Sequence, residues 1–315
     1  MGSRSETDGE EGLSILNLIE DWYHIPSLLL IVVTMAVIRL QSYSNFLRNG
    51  EVFFSGNDAW YHLRSTMYIV QNWPSTMPFD PWTNFPYGTF VGQFGTLYDQ
   101  IVATIALILG FGSPSPELVA SVLLVTPAIA GALTAIAVYM IGSRLAGRPS
   151  GVFGAVVLML LPGTFLSRTL VGVADHNAVE PLAMSLAVAG IVTALQKAKI
   201  AMPVWEVVHE EIIKNREFNT LTDPLRWSLI AGVLTGGYLW IWPPGVILVG
   251  IIGVFALIKI TSDVANRQTP EPTAFVVITS MLVVTLMSVL IIDQLAFNTT
   301  VMSLLQPLAA LGVAS

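Results

Sequence analysis

Apolar residues run along this chain in long blocks separated by short polar clusters. A membrane-spanning helix needs ~20 mainly apolar residues. Blocks at 26–42, 118–141, 151–166, 178–195, 227–241, 245–260 and 274–292 each predict one, and a shorter block at 301–313 is a further candidate. The expected fold is therefore an all-α polytopic membrane protein of about seven to eight spans. The block at 101–111 is apolar but short, which fits a re-entrant or interfacial helix better than a span.

The side on which each polar cluster lies follows from the treatment of 101–111. If it does not span, all but four of the 14 basic residues fall inside; the exceptions are Arg39, Arg48, Arg64 and Arg168. If it spans, Lys197, Lys199, Lys214 and Arg216 move outward and the bias disappears. The positive-inside rule selects the first count. This gives a cytoplasmic leader over 1–25, with an amphipathic stretch at 13–23, and a membrane portion over 26–315. Two external loops follow, at 43–117 and 167–177. An inner loop at 196–226 holds an amphipathic stretch, 204–213, and the last long block exits near Asp293.

The composition agrees: 54% of residues are hydrophobic, 11% are charged and mean hydropathy is +0.69. A soluble protein of this composition would expose large apolar patches. There is no cysteine, so thiolate metal sites and disulfides are excluded, and the net charge of −7 argues against a nucleic-acid partner. The acidic leader has no basic region ahead of a short apolar core, so it does not read as a cleavable signal peptide.

The first external loop interleaves aromatics with Pro and Gly, as in Asn72-Trp73-Pro74, Pro78-Phe79-Asp80-Pro81-Trp82 and Phe85-Pro86-Tyr87-Gly88. Such a loop is expected to be ordered, to lie at the membrane surface and to wall a cleft. Trp240, Trp242, Pro243 and Pro244 read as an interfacial belt and tight hairpin, and Gly232, Gly236 and Gly237 as helix-packing positions.

Two polar motifs carry candidate chemistry. One is Gly56-Asn57-Asp58-Ala59-Trp60-Tyr61-His62-Leu63-Arg64; the other is Arg168 followed by Asp175-His176-Asn177. Ionisable residues beside membrane segments are costly and mark function by default. On one face of the bilayer, Asp58 and Asp175 could converge on a hard divalent cation such as Mg²⁺ or Mn²⁺, with His176 or Asn177 adding a nitrogen or an amide oxygen. The competing role for each acid is a helix cap. Arg168 suits a lipid-linked phosphate, or serves as a snorkelling anchor. Glu180, in the first turn of a helix, complements its dipole and supports the ligands rather than binding directly. Arg64 is expected to pair with a loop carboxylate or to contact phosphate. His62 is expected to be a satisfied loop histidine beside the site.

Together with Trp73-Pro74-Ser75-Thr76-Met77-Pro78-Phe79-Asp80-Pro81-Trp82 and Gly92-Gln93-Phe94-Gly95-Thr96-Leu97-Tyr98-Asp99, these motifs resemble the catalytic subunit of oligosaccharyltransferase. The likeness is to the archaeal, haloarchaeal type, the dolichyl-phosphooligosaccharide–protein glycotransferases. It runs from about residue 21 to the end of the chain.

The resemblance implies a GT-C-type transmembrane domain that transfers an oligosaccharide from a dolichol-phosphate-linked donor to Asn in Asn-X-Ser/Thr, with Mn²⁺ or Mg²⁺ as cofactor. The site would face the exterior of the cell membrane, with the N-terminus cytoplasmic. Asp58 would be the first-loop metal ligand, Asp175 the first acid of the second motif and Arg168 the arginine near the donor phosphate. Asn177 stands where the family usually has Asp or His. The family's later essential Glu and its Trp-Trp-Asp-Tyr-Gly sequon-binding signature are not found in these residues. The chain therefore reads as the N-terminal portion, without the C-terminal sequon-binding domain. The alternatives are a non-catalytic remnant or assembly subunit, another GT-C lipid-phosphate-sugar transferase, and a transporter broken at Pro243-Pro244.

Overall fold

The computed structural model describes residues 22–198, 204–207, 209, 213–214, 219–292 and 294–315. Residues 1–21 of the expected leader, positions 208 and 210–212 of the 204–213 stretch and Asp293 lie outside the described residues.

The described chain is helical, with two short hairpins in the first loop. Helix α1 spans His24–Leu40. The loop after it forms a hairpin of β1 (Leu47–Arg48) and β2 (Glu51–Val52), which reverses through Asn49 and Gly50, both at positive φ (52° and 83°). Asn-Gly is the dipeptide that tolerates this conformation at both central positions. Helix α2 (Asp58–Asn72) follows, then β3 (Phe79–Asp80) and β4 (Thr89–Phe90), whose Phe79 and Phe90 rings meet edge to face. Helix α3, Leu97–Leu109, coincides with the short apolar block.

Helix α4 (Pro116–Ala146) is the longest element. Ser115 caps it by accepting from the Leu118 N–H, Pro116 fits the first turn, and Gly147 at φ 87° ends it. Helix α5 (Arg148–Leu160) returns beside α4. The expected span at 151–166 stops there because Leu161-Pro162-Gly163 breaks it, so the short helix α6 (Thr164–Arg168) is a separate piece. The bundle is completed by α7 (Glu180–Lys197), the short α8 (Val204–Val207), α9 (Asn219–Ile241), α10 (Val246–Ala265), α11 (Glu271–Val289) and α12 (Leu305–Ala314).

Three apolar cores hold these elements. Ile31 and Met35 of α1 pack on Ala132 and Ala135 of α4 and Ala155 of α5. Helices α7, α9, α10, α11 and α12 share a second core around Leu239, Val249, Val277 and Met281. The third joins Ala59 of α2 and Tyr98, Val102 and Ala106 of α3 to Val119 and Leu123 of α4 and Ile241 of α9. Through this third core, the helices of the first loop, α2 and α3, sit on the N-terminal half of α4 and the C-terminal end of α9.

Small residues let backbones approach closely, as in membrane bundles. A Cβ on Gly232 would lie 2.7 Å from the Ser280 carbonyl oxygen of α11. Outer faces are apolar instead of polar: Ile247, Ile251, Val254 and Ile258 form one exposed stripe on α10, the surface a lipid solvent favours. Among the described helices, Pro116–Ala146, Pro243–Ala265 (α10 with the turn before it) and Glu271–Val289 are long and apolar enough to cross a membrane by length and composition, while His24–Leu40, Leu97–Leu109, Arg148–Leu160 and Leu305–Ala314 are shorter apolar helices. The break at 161–163 shortens Arg148–Leu160 relative to its block in the sequence.

Candidate metal centre and active-site cleft

The Gly56 turn, at φ 86°, delivers Asp58 as the first residue of α2, and no side-chain cap bond forms there. One turn later, His62 faces inward and is buried. Asp99, in the first turn of α3, is fully buried, and its Oδ1 lies 2.7 Å from His62 Nδ1. The Tyr98 ring stands edge to face against the imidazole at 4.8 Å.

The second motif approaches from the other side. Asp175 caps the 3₁₀ turn His176–Ala178, accepting from the Asn177 N–H and from the Asn177 side-chain amide. Its Oδ1 lies 2.7 Å from His176 Nδ1 and 3.5 Å from His62 Nε2. His62, Asp175 and His176 thus offer three ligand atoms that all lie within 4.8 Å of one another. Capping and convergence coexist in Asp175: Oδ1 accepts from the Asn177 N–H and meets both imidazoles, while Oδ2 takes the Asn177 side-chain amide.

The electrostatics follow from these contacts. Burial on its own would depress His62, but Asp99 and Asp175 outweigh it and raise the imidazole to about 9. Burial would raise Asp175, yet His176, His62 and Asn177 hold its carboxyl far below the usual carboxylate range.

A cleft of about 640 Å³ opens beside this cluster and is lined by Asp58, His62 and His176 together with Trp60, Trp82 and Trp242. Asp58 is exposed on the cleft wall and does not join the cluster of three. Asn177 is turned onto Asp175 and supports that carboxylate. Arg168 is exposed at the end of α6. Glu180 opens α7 and is half-buried. Arg64 lines the cleft and forks onto Asp80, at 3.1 and 2.6 Å.

Two residues lay beyond the sequence reading. Asp99 has no assigned role there, although an acid opening an apolar helix is a signal of the kind used for Asp58. Arg39, expected on the outer flank, is buried, bonded to Thr169 Oγ1 at 2.8 Å and stacked over Phe165 at 5.0 Å.

One carboxylate and two imidazoles form a donor set that divalent cations of borderline hardness accept. Adjacent ligands around an ion with bonds of about 2.1 Å stand ~3 Å apart. The separations of 2.7 and 3.5 Å bracket that value, so the residues fit a divalent cation.

Fold and site together define a multi-pass helical membrane protein with a polar, cation-competent cleft at one end of its bundle. The chain belongs to the oligosaccharyl transferase STT3 family, whose N-terminal region matches residues 29–315. It is 56% identical over 301 residues to the dolichyl-monophosphooligosaccharide–protein glycotransferase AglB of Haloferax volcanii, covering 96% of this chain and 28% of that protein. It is 27% identical over 240 residues to dolichyl-phosphooligosaccharide-protein glycotransferase 3 of Archaeoglobus fulgidus, covering 75% of this chain and 26% of that one. The chain therefore spans under a third of the length of these relatives.

Among solved structures, the Archaeoglobus fulgidus oligosaccharyltransferase AglB in complex with an inhibitory peptide and a dolichol-phosphate superposes with a TM-score of 0.78 at 24% identity, covering 94% of this chain and 32% of that one. The same organism's enzyme in complex with Zn and sulfate gives a TM-score of 0.75 at 25% identity, covering 91% and 34%.

Proposed function

We propose that this chain forms the transmembrane catalytic portion of an oligosaccharyltransferase, which transfers an oligosaccharide from a dolichol-phosphate-linked donor to Asn of an Asn-X-Ser/Thr acceptor. The observation that carries the reading is the convergence of Asp175, His176 and His62 beside a cleft that Asp58, His62 and His176 line, in a chain with a 56%-identical glycotransferase relative. The dolichol-phosphate and peptide in the Archaeoglobus complex, and the Zn and sulfate in another, support the same substrates and a cation here.

Asp175, His176 and His62 would hold the ion from the bundle side, with Asp58 facing it across the cleft and Asn177 steadying Asp175. Mn²⁺ or Mg²⁺ is the expected ion, and when bound it supplies Lewis-acid stabilisation of the departing lipid phosphate. Arg168 offsets phosphate charge at the bundle end. Asp58, exposed and acidic, holds the acceptor amide, a poor nucleophile that needs orientation. Glu180 stands behind the second motif at the start of α7. The positive-inside count supports a cleft outside the cell membrane with the N-terminus in the cytoplasm.

The test is transfer of a lipid-linked oligosaccharide to a sequon peptide by this chain, alone and joined to the remaining length of its relatives. Metal-dependent transfer by either form is the expected result. Absence of transfer from both forms under Mn²⁺ and Mg²⁺ contradicts the reading.

A further inference from the structure

Asp99 is a carboxylate with zero exposure in the midst of apolar packing: its helix carries Val102, Ala103 and Ala106 into the core. Its Oδ1 meets His62 Nδ1 at 2.7 Å, whereas its Oδ2 has no hydrogen-bond partner among the described residues. A buried carboxylate is expensive, and one half-satisfied more so. The side chain's whole polar investment is thus one bond to one imidazole. That bond crosses from α3 to α2 and fixes the ring so that Nε2 faces Asp175 Oδ1, at 3.5 Å, and His176 Nδ1, also at 3.5 Å. The Tyr98 ring closes the imidazole's flank.

A carboxylate that accepts from one ring nitrogen sets which nitrogen carries the proton and leaves the other free to bind a metal. We infer that Asp99 is a positioning residue for the cation site: through His62 it presents Nε2 as a cation ligand beside Asp175 and His176. The inference rests on the cation reading of the cleft. It adds a carboxylate in the first external loop, 41 positions beyond Asp58, that never touches ion or substrate.

The experiment is Mn²⁺ titration of the purified 315-residue chain in detergent, with free Mn²⁺ followed by electron paramagnetic resonance. Asp99→Ala is expected to raise the Mn²⁺ Kd about 10–100-fold, the usual effect of losing a carboxylate behind a ligating histidine. Asp99→Asn keeps an acceptor oxygen at the same size and gives a smaller rise, so it reports even if Asp99→Ala fails to fold. His62→Gln is expected to weaken Mn²⁺ on its own, and adding Asp99→Asn to it changes nothing further, because the carboxylate acts only through the imidazole. A purely structural Asp99 would weaken the protein without this non-additivity. Unchanged Kd in folded Asp99→Ala or Asp99→Asn, or additive losses in the double variant, overturns the inference. If the unsubstituted chain binds no Mn²⁺, the cation reading fails together with it, a result distinct from binding that is indifferent to Asp99.

Discussion

His62 and Arg64 are two positions apart on α2, and each is held by an acid from a later part of the first loop: His62 by Asp99, Arg64 by Asp80. The second pair sets the loop's shape. Asp80 is fully buried and accepts from Arg64 Nε and Nη2, from the Thr83 hydroxyl at 2.6 Å and from the Trp82 N–H at 3.1 Å. Burial alone would raise its carboxyl, but these donors hold it below the usual range. Arg64→Ala strands a buried carboxylate and is expected to cost about 3 kcal/mol. Asp80→Asn leaves a guanidinium that can still reach water and costs less, about 1–2 kcal/mol. Because the folded-state value is depressed, the stabilisation is complete above the ordinary carboxylate range, about pH 4, and fades as pH falls through the depressed value. The gap in thermal unfolding midpoint between wild type and Asp80→Asn should accordingly be widest near neutral pH and shrink below about pH 4. A gap independent of pH would refute this assignment.

At the scale of elements, the sequence displayed the long apolar helices plainly, along with the short one at 101–111, because hydrophobic runs are local. Their ends were less legible. The span expected to reach Leu166 stops at Leu160, since Pro162 and Gly163 interrupt an otherwise apolar run, and Arg168 then rides on a five-residue helix. The two hairpins are too short to leave an alternating pattern, although Asn49-Gly50 marks the first. The motif residues were readable because polar groups stand out against apolar flanks. Asp99 and His62 were undervalued because their meaning lies in a pairing of α2 with α3, which no local pattern reports. Arg39 was undervalued for the same reason: its partners are Thr169 and Phe165, from α6 and its edge. That junction depends on Gly131 of α4, where an added Cβ would lie 2.6 Å from Thr169 Cβ and 2.7 Å from Arg39 Nε. Gly131→Ala should therefore lower stability by about 1–3 kcal/mol, as overpacking does. A thermal midpoint equal to wild type would show that α6 and Arg39 can move aside.

For the molecule as a whole, function depends on both motifs facing the same side of the membrane. The absence of cysteine makes the arrangement directly testable by single-cysteine labelling. Ser75→Cys in the first loop and Ser167→Cys beside Arg168 should react with a membrane-impermeant maleimide added outside intact cells; both positions are exposed. Gln268→Cys, exposed between α10 and α11, should react only after permeabilisation. Labelling of Ser75→Cys and Ser167→Cys from opposite sides would separate the motifs and dismantle the site. The same geometry explains why a long first loop is folded so tightly: it carries Asp58, His62 and Asp99 onto the bundle end where Asp175 and His176 wait.

The central claim is a cation-dependent transfer site built from these two motifs. Its most direct measurement is glycan transfer to an Asn-X-Ser/Thr peptide in the chain joined to the remaining length of its relatives, comparing wild type with Asp58→Ala and Asp175→Ala under Mn²⁺ and under chelator. The account predicts transfer by wild type with Mn²⁺, its loss on chelation, and a fall of at least about 100-fold in each variant, the scale expected when a group that stabilises transition-state charge is removed. Chelator-resistant transfer, or wild-type rates in Asp175→Ala, would contradict it.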